Sequence, residues 1–387
     1  MPEKRTVANL LKRNPGKFEP LNLFDSIGRE EKYTIGKSKD IEAFLDRLRQ
    51  SLMTPPPTLL YGKRIEKMFG YVVAALGKCV LVKKEDEGEI YTTDNNIKCP
   101  DYRIVLDDTS RTELLIEVKN HHGKTDFCLS KTYLAELKNY ASLTKCKLYI
   151  AIFWSCLKIW TLLCPSDFEN KDEKSVCVSL YDAVCKNRMR LLGDYMIATI
   201  PPITIRIYPD TQSPLILDQS GYATLKIGNV EILCNGCPIQ KPEEKQLAYC
   251  LAQYGTWQES NEIIMDSEIK EKVRYIDFSY KPPEQSNADG FEIIGDASSI
   301  IAMQYTEQTV ENGKVKRISP HLAPDKFGVS FSENYHSDEL PIATVYKGNI
   351  IKNLIMDCQS YTKYRPNETT GGIFVSWRRK EELPTGA

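Results

Sequence analysis

The feature that most constrains this chain lies between Pro100 and Asn120. Two short apolar segments, Tyr102–Leu106 and Glu113–Val118, flank the polar run Asp107–Arg111. Polar turn-forming residues between two β-branched segments are typical of a hairpin. The sequence therefore predicts two antiparallel strands joined by a tight turn in this stretch.

The register of this hairpin decides which side chains meet. If the turn is centred near Thr109, residues that face each other across the ladder have numbers that sum to about 218. Asp101 then lies opposite Glu117, with Cβ atoms about 5 Å apart. Lys119 is two residues beyond Glu117 and shares its face of the strand, whereas Val118 points to the other face, into a core.

Two adjacent carboxylates beneath one lysine form a costly arrangement. Like charges directly opposite one another destabilise a sheet, and buried carboxylates need a partner or a metal. A divalent cation would resolve the conflict, because hard oxygen ligands suit Mg²⁺, which retains waters and binds substrate phosphates. The lysine could then hold or polarise a water for attack on phosphorus. This combination of residues points to phosphodiester hydrolysis.

The same residues resemble the PD-(D/E)XK nucleases, a family with a restriction-endonuclease-like fold. The matching motif is Pro100-Asp101 followed by Glu117-Val118-Lys119. The resemblance implies that Asp101 and Glu117 bind the metal, Mg²⁺ or Mn²⁺, and that Lys119 positions the nucleophilic water. It covers about residues 59–165.

A helix predicted at about Leu59–Leu76 supplies a third carboxylate. The apolar spacing predicts a buried face that comprises Ile65, Phe69, Val72, Val73 and Leu76. Glu66 lies among them, with Gly62 and Gly70 four residues before and after it, so that the helix backbone can approach a sheet closely. The resemblance implies that Glu66 joins the metal cluster. The alternative is a surface glutamate paired with a neighbouring lysine of the helix.

A second helix, predicted at Ser130–Thr144, follows the hairpin. Its apolar spacing is given by Tyr133, Leu137, Tyr140 and Leu143. RecB-type members of the family carry Gln-x-x-x-Tyr on this helix. Here Tyr140 matches the tyrosine, and Glu136 replaces the glutamine.

Three basic side chains near these elements are candidate contacts to nucleic acid. Lys131 and Lys138 lie on the second helix and are candidates for the phosphate backbone, although solvated surface lysines are the commoner case. His121 follows the lysine of the motif and either faces phosphate or closes the rim of the site.

The order of predicted elements agrees with a restriction-endonuclease-like α/β/α core that has a mixed sheet. A strand is predicted at Lys78–Lys84, before the hairpin, and two strands, Lys147–Trp154 and Leu157–Leu163, follow the second helix. The acidic loop Glu85–Glu89 is expected to be solvated and distant from phosphate.

The charge of the 387-residue chain is uneven. Residues 1–165 hold 27 Lys and Arg against 21 Asp and Glu, whereas residues 166–387 hold 24 against 31. A basic half that carries the candidate site, followed by an acidic half, favours a phosphate-binding unit joined to a second unit.

We predict three segments: an N-terminal helical segment (1–57), a nuclease domain (58–199) and an α+β accessory domain of no recognised family (200–387). The first contains a predicted helix at Asp40–Leu52. A helix at Tyr181–Ala198 is expected to close the second, and Pro201-Pro202 marks the boundary. In the third, the predictions are strands Ile203–Tyr208, Ala223–Leu233 and Val273–Phe278, helix Pro242–Gln253, and short apolar runs at Ile300–Thr306, Ala343–Tyr346 and Ile373–Trp377.

Cysteine usage and hydropathy indicate a cytoplasmic protein. No apolar window is long enough to span a membrane, and the N-terminus lacks the apolar stretch of a signal peptide. The twelve cysteines form no regular framework and are expected to be reduced. Cys234 and Cys237 have metal-site spacing, but the Asn235-Gly236 pair between them favours a hairpin turn.

These observations together predict a metal-dependent nuclease that acts on nucleic acid, DNA rather than RNA. Many members of the family serve in bacterial restriction or anti-phage defence, so the expected assembly is a homo-oligomer or a subunit of a defence complex. The alternative is a non-cleaving module that uses this fold to bind nucleic acid or a partner protein.

Overall fold

The structure is a computed structural model, and it describes residues 20, 22–27, 31–53, 55–85, 90–123, 125–210, 216–217, 223–224, 226–266, 273–285, 290–327, 335 and 337–345. Helices cover both faces of a central mixed sheet, so the predicted α/β class is confirmed. The elements of the first half are α1 (Ser38–Met53), α2 (Pro57–Leu76), β1 (Cys79–Lys84), β2 (Tyr102–Leu106), β3 (Glu113–His121), β4 (Phe127–Ser130), α3 (Lys131–Thr144), β5 (Lys147–Trp154), β6 (Ile159–Leu163), β7 (Glu169–Asn170), β8 (Ser175–Val178), α4 (Leu180–Cys185) and β9 (Met196–Thr199).

The central sheet has the strand order β1-β2-β3-β5-β6. Neighbouring strands are antiparallel except β3 and β5, which run parallel. A parallel pair requires a crossover connection, and β4 with α3 provides it here. This crossover brings α3 over the face of the sheet that carries the motif residues.

The register of the β2–β3 hairpin obeys the predicted rule. Tyr102 pairs with Ile116, and the ladder continues in step to Val105 and Glu113. Arg111 closes the turn with a left-handed φ of 48°. The prediction that pairs sum to 218 is therefore confirmed.

Helix α2 packs on one face of the sheet through the side chains expected from its periodicity. The predicted face is buried throughout: Ile65, Phe69, Val72, Val73 and Leu76. Full burial of side chains of this size contributes about 1.5–3 kcal/mol each. A Cβ at Gly70 would lie 2.8 Å from the Tyr102 hydroxyl oxygen, so the close approach needs glycine there. At Gly62 an added Cβ meets nothing within 4 Å, and the expectation of close packing at that position is wrong.

Helix α3 covers the opposite face. Its N-cap is Ser130, whose hydroxyl oxygen accepts a hydrogen bond from the Tyr133 backbone N–H. The side chains that it buries are Leu134, Leu137 and Ala141, whereas Leu143 is 62% exposed. The core therefore contacts a face that is rotated from the predicted one, because the small Ala141 fits against the sheet where Leu143 does not reach it.

The helix predicted at Tyr181–Ala198 is wrong. A short helix, α4, ends at Cys185, and a 3₁₀ turn at Met189–Leu192 follows it. Gly193, with φ 94°, then redirects the chain, and Met196–Thr199 forms strand β9. Pairing of β9 with strands from the end of the chain overrides the apolar spacing that suggested a helix.

The second half is built on antiparallel pairing. Its elements are β10 (Ile203–Pro209), β11 (Ile216–Leu217), β12 (Ala223–Thr224), β13 (Ile227–Cys234), β14 (Cys237–Pro238), α5 (Pro242–Tyr254), β15 (Gln258–Met265), β16 (Val273–Lys281), β17 (Glu292–Asp296), α6 (Ala297–Thr309), β18 (Val310–Glu311), β19 (Lys314–Val315) and β20 (Ile342–Val345). One sheet has the order β14-β13-β10-β16-β15, and another has the order β17-β9-β20. The run at Ile300–Thr306 lies within α6, and the run at Ile373–Trp377 lies outside the described residues.

The two halves are in direct contact. Arg64 of α2, 4% exposed, donates hydrogen bonds from Nε to Thr309 Oγ1 (2.8 Å) and from Nη2 to Thr306 Oγ1 (2.7 Å) on α6. Strand β9 lies between β17 and β20. The division of the chain into domains at residue 199 stays a prediction. A protein truncated at this residue would lose the contacts described above.

Two predictions about cysteines have different outcomes. Cys128 of β4 and Cys177 of β8 lie opposite each other, with Cα atoms 4.1 Å apart, and form a disulfide, so the expectation that all cysteines are reduced is wrong. The predicted turn is confirmed: Asn235 and Gly236 have φ values of 48° and 79°.

Among the described residues, no helix is long and apolar enough to cross a membrane.

Candidate active site

The motif carboxylates lie together at the end of the hairpin away from its turn. Asp101 directly precedes β2, and Glu117 lies in β3; their exposed fractions are 8% and 3%. Asp101 Oδ2 accepts a hydrogen bond from the Val118 backbone N–H at 2.7 Å. This bond ties Asp101 to the strand that carries Glu117, next to the residue that it was expected to face.

The environment of Asp101 disfavours its charged form. Burial raises the pKa of Asp101, and the nearby charges of Glu117 and Glu66 raise it further. The Val118 N–H and the Lys119 ammonium act in the opposite direction, and the pKa settles at about 7. Burial is thus the main reason that the charged form of Asp101 is disfavoured, and the neighbouring acids add to it.

Lys119 is held between an acid and a phenol. Its Nζ donates to Glu117 Oε1 and, at 2.9 Å, to the hydroxyl oxygen of Tyr133. That hydroxyl in turn donates to Glu117 Oε1, so the three groups form a closed triangle. Burial by itself lowers the pKa of Lys119, but the Glu117 charge and the Tyr133 oxygen outweigh it and raise the pKa.

Glu66 is near the site but already has partners. Its Oε2 lies 2.9 Å from Lys63 Nζ, the ion pair that the alternative reading expected, and 3.6 Å from Lys84 Nζ. Glu66 is nevertheless close enough to raise the pKa of Asp101. The structure thus brings Glu66 to the edge of the carboxylate pair, between two lysines.

Tyr140 and Glu136, the two positions matched to the RecB-type motif, form hydrogen bonds with groups other than the motif carboxylates. The Tyr140 hydroxyl donates to Glu85 Oε1 at 2.9 Å, and the Glu136 carbonyl oxygen accepts from the Lys98 backbone N–H at 3.2 Å. Glu85 was expected to be solvated, but its side chain is only 7% exposed. It is buried because Arg103 binds it with Nε and Nη2 at 3.1 and 2.6 Å.

The three basic candidates have separate environments. His121 packs its ring edge-on against Trp154, with centroids 5.0 Å apart, and its Nε2 is 2.9 Å from the Thr125 carbonyl oxygen. Lys131 is half-buried, and Lys138 is exposed. Their roles towards nucleic acid stay predictions.

Sequence reasoning missed two residues of the site, Tyr133 and Lys98. The apolar spacing places Tyr133 on a helix face, two helical turns before Tyr140, and does not indicate its contact with Lys119. Lys98 has no sequence signal, because its position depends on how the loop before β2 docks on α3.

The chemistry of the donor set fits a divalent cation, although no complete cage is formed. Among the described residues, no group of three or more His, Cys, Asp and Glu side chains is arranged to hold a metal ion. Asp101 and Glu117 are buried oxygen donors, and the pKa of Asp101 is raised by burial and by the nearby charge of Glu117. A hard cation that keeps several waters needs only one or two carboxylates.

Comparisons with known proteins give little beyond this geometry. No family model matches the chain, and no curated protein matches it. Among solved structures, the chain is similar to Archaeoglobus fulgidus Hjc, a Holliday junction resolvase from an archaeal hyperthermophile, with 21% identity and a TM-score of 0.22. The match covers 27% of this chain and 80% of that chain. A similarity of this size carries no argument, so function has to be inferred from the site itself.

Proposed function

We propose that this chain is a metal-dependent nuclease that hydrolyses phosphodiester bonds of nucleic acid, DNA rather than RNA. One observation carries the proposal: Asp101 and Glu117 are buried together at the end of a hairpin, with the Lys119 ammonium bound to Glu117. Two buried carboxylates with one cation are costly for a purely structural role. They are the set that a metal and a phosphate together would complete.

Asp101 and Glu117 would hold Mg²⁺ or Mn²⁺, with Glu66 as a third ligand once it leaves its lysines. Such a cation would neutralise the charge that develops on the phosphoryl oxygens. The backbone N–H of Val118 already fixes one oxygen of Asp101, which leaves the other oxygen available. Burial excludes bulk water, which strengthens every electrostatic interaction at the site.

Lys119 would orient the attacking water. Its raised pKa keeps the ammonium protonated at neutral pH, so it acts as a hydrogen-bond donor and does not remove a proton. Glu117 and Tyr133 accept two of its three hydrogens, which leaves one to point at the water. A fixed donor of this kind contributes to the rate because it needs no reorganisation during the reaction.

The cellular setting is also part of the proposal. Restriction or another form of bacterial anti-phage defence in the cytoplasm, as a homo-oligomer or within a defence complex, is the setting that the family resemblance favours. Residues 58–199 would form the nuclease domain. Residues 200–387 would supply target recognition, oligomerisation or partner binding.

A non-cleaving binding module is the competing proposal, and one observation favours it. Glu117 is neutralised by Lys119, and Glu66 is paired with Lys63 and Lys84. A site whose acids are paired internally can be stable without a metal. The two proposals differ in whether phosphodiester bonds are broken.

The decisive experiment incubates the purified full chain with supercoiled plasmid, single-stranded DNA and RNA, with and without Mg²⁺ or Mn²⁺. We expect metal-dependent cleavage of DNA that EDTA abolishes. Binding to all three substrates without cleavage under any condition would favour the binding module. A preference for RNA would correct the substrate but retain the chemistry.

A further inference from the structure

Lys98 presents an ammonium beside the site, over the ring of Tyr133. Its Nζ lies 4.8 Å from the centroid of the Tyr133 ring, the same distance as Lys119 Nζ. Within the part of the chain that the structure describes, no carboxylate lies within ion-pair distance of Lys98. The residue is exposed, so an anion can reach it.

The loop that carries Lys98 is tied to α3 at two points. The Lys98 backbone N–H donates to the Glu136 carbonyl oxygen at 3.2 Å. Two residues earlier, the Asn96 carbonyl oxygen accepts from Asn139 Nδ2 at 3.0 Å. The loop backbone is therefore fixed on the helix that also carries Tyr133, and the ammonium has a defined position.

One aromatic ring thus holds two ammonium groups. The nitrogens of Lys98 and Lys119 can lie no further apart than twice 4.8 Å. Each is attracted by the ring, but the two cations repel each other. Lys119 is compensated by Glu117, whereas Lys98 has no carboxylate within ion-pair distance among the residues that the structure describes. An anionic group of the ligand would relieve this imbalance.

We propose that Lys98 binds a backbone phosphate of the nucleic-acid substrate and that the Tyr133 ring holds it in place to do so. The inference rests on the proposed function and gives the two lysines different roles. Lys98 binds the nucleic-acid strand, and Lys119 orients the attacking water. A lysine ammonium suits this role because it acts as a point charge towards phosphate in any orientation. Lys98 would not make binding specific for a base sequence, because phosphate contacts position a strand and do not identify its bases.

The first test measures binding of a fluorescein-labelled DNA duplex to full-length protein in Ca²⁺, which occupies such sites without supporting cleavage. Lys98→Ala should weaken affinity roughly five- to tenfold at low salt and reduce the slope of log K against log salt by about one unit. The rate of single-turnover cleavage in Mg²⁺ at saturating protein should change less than about threefold. Lys98→Arg keeps the charge and should retain most of the affinity.

The matched control is Lys147→Ala. Lys147 is exposed at the opposite end of the sheet, where it pairs with Leu114 at the start of β5. This variant removes the same charge from the chain but far from the site. It should therefore leave affinity, salt slope and cleavage rate unchanged. A general electrostatic effect would appear equally in both variants and would overturn the anchor at Lys98.

Tyr133 provides an independent dissection. Tyr133→Phe keeps the ring under Lys98 but removes the hydroxyl bound to Lys119 and Glu117, so affinity should persist while single-turnover cleavage slows about tenfold. Tyr133→Leu should lower both affinity and rate. Circular dichroism and thermal melting of each variant would identify a folding defect, and Lys98→Gln would then replace Lys98→Ala.

The outcomes separate this inference from the proposed function. Wild-type protein that cleaves DNA, with affinity and slope unaffected by Lys98→Ala, overturns the anchor alone. A variant that binds normally but cleaves slowly at saturation places Lys98 in the chemistry and also overturns the anchor. Wild-type protein that binds with a Lys98-dependent slope but never cleaves overturns the proposed function and supports the anchor.

Discussion

Two carboxylates at neighbouring strand ends of the central sheet have pKa values that are shifted in opposite directions. Glu85, at the end of β1, receives a bidentate pair from Arg103 and a hydrogen bond from Tyr140, and its pKa is lowered, chiefly by the Arg103 bonds. Asp101, directly before β2, receives one backbone N–H beside two other acids, and its pKa is raised to about 7. Asp101 is a buried residue, whereas Glu85 is half-buried, although its side chain is only 7% exposed.

The difference separates an acid that is balanced within the chain from one that is not. Burial disfavours the charged form of both groups. At Glu85 the Arg103 guanidinium compensates for this, because its two N–H groups match the two carboxylate oxygens. Asp101 is left beside like charges, an arrangement that is expected where a ligand supplies the missing charge. The largest influence on the pKa is burial at Asp101 and the Arg103 hydrogen bonds at Glu85.

The largest effect should follow from removing the charge at the unbalanced pair. Glu117→Gln or Asp101→Asn should slow cleavage a thousandfold or more, about 4 kcal/mol of transition-state stabilisation. Thermal stability should stay the same or rise in Asp101→Asn, because like-charge repulsion is relieved, but it should fall in Glu117→Gln, because Lys119 loses its acid partner. Single-turnover cleavage and melting curves would measure both. Asp108→Asn, in the turn of the same hairpin, is the control that should retain activity, and wild-type turnover in either site variant would remove the active-site assignment.

The next effect concerns the lysine that partly balances Glu117. Lys119→Ala should slow single-turnover cleavage about a hundredfold and change DNA affinity in Ca²⁺ very little. Lys119→Arg should be equally slow, because a wide guanidinium does not fit the triangle with Glu117 and Tyr133. Arginine that cuts as fast as the wild-type lysine would leave the geometry intact but refute the water-orienting role.

The balanced acid should respond in stability and not in catalysis. Glu85→Gln should lower the free energy of unfolding by about 2 kcal/mol, because Arg103 loses its bidentate partner while remaining only a quarter exposed. Glu113→Gln is the matched control, since Glu113 binds the same Arg103 but is 47% exposed and should cost less than about 1 kcal/mol. Urea unfolding measures both. Loss of cleavage in folded Glu85→Gln protein would contradict the contrast with Asp101.

The last comparison concerns a pair of opposite pH slopes in metal-free buffer. At Asp101 the folded pKa of about 7 exceeds the ordinary value of 3.8, so the folded state binds more protons between these values. Stability should therefore fall by about 1 kcal/mol per pH unit as pH rises through this window. Asp101→Asn should abolish that fall.

Glu85 should give the reverse sign. Its folded pKa lies below the ordinary value of 4.5, so its contribution to stability is present above pH 4.5 and is lost as pH falls through the folded pKa. Unfolding curves of wild type, Asp101→Asn and Glu85→Gln across pH 3 to 8 would separate the two slopes. Identical pH profiles for the two variants would end the comparison.

The sequence by itself determined the hairpin and the acids that meet on it. Turn residues and two-residue alternation are local properties, so the register from Tyr102 to Val105 could be worked out without a fold. The buried face of α2 followed from its periodicity for the same reason. The helix predicted at Tyr181–Ala198 failed where strands distant in sequence, β17 and β20, claimed the segment.

Only the tertiary structure decided which groups surround those acids. The crossover through α3 brings Tyr133 to Lys119 and the loop of Lys98 to Tyr133, and β1 brings Glu85 to Arg103. These contacts join residues that are far apart in sequence, and no spacing rule reaches across such loops. Since each pKa depends on burial and on the distance to those partners, one acidic side chain is held by an arginine at Glu85, whereas another lies beside like charges at Asp101.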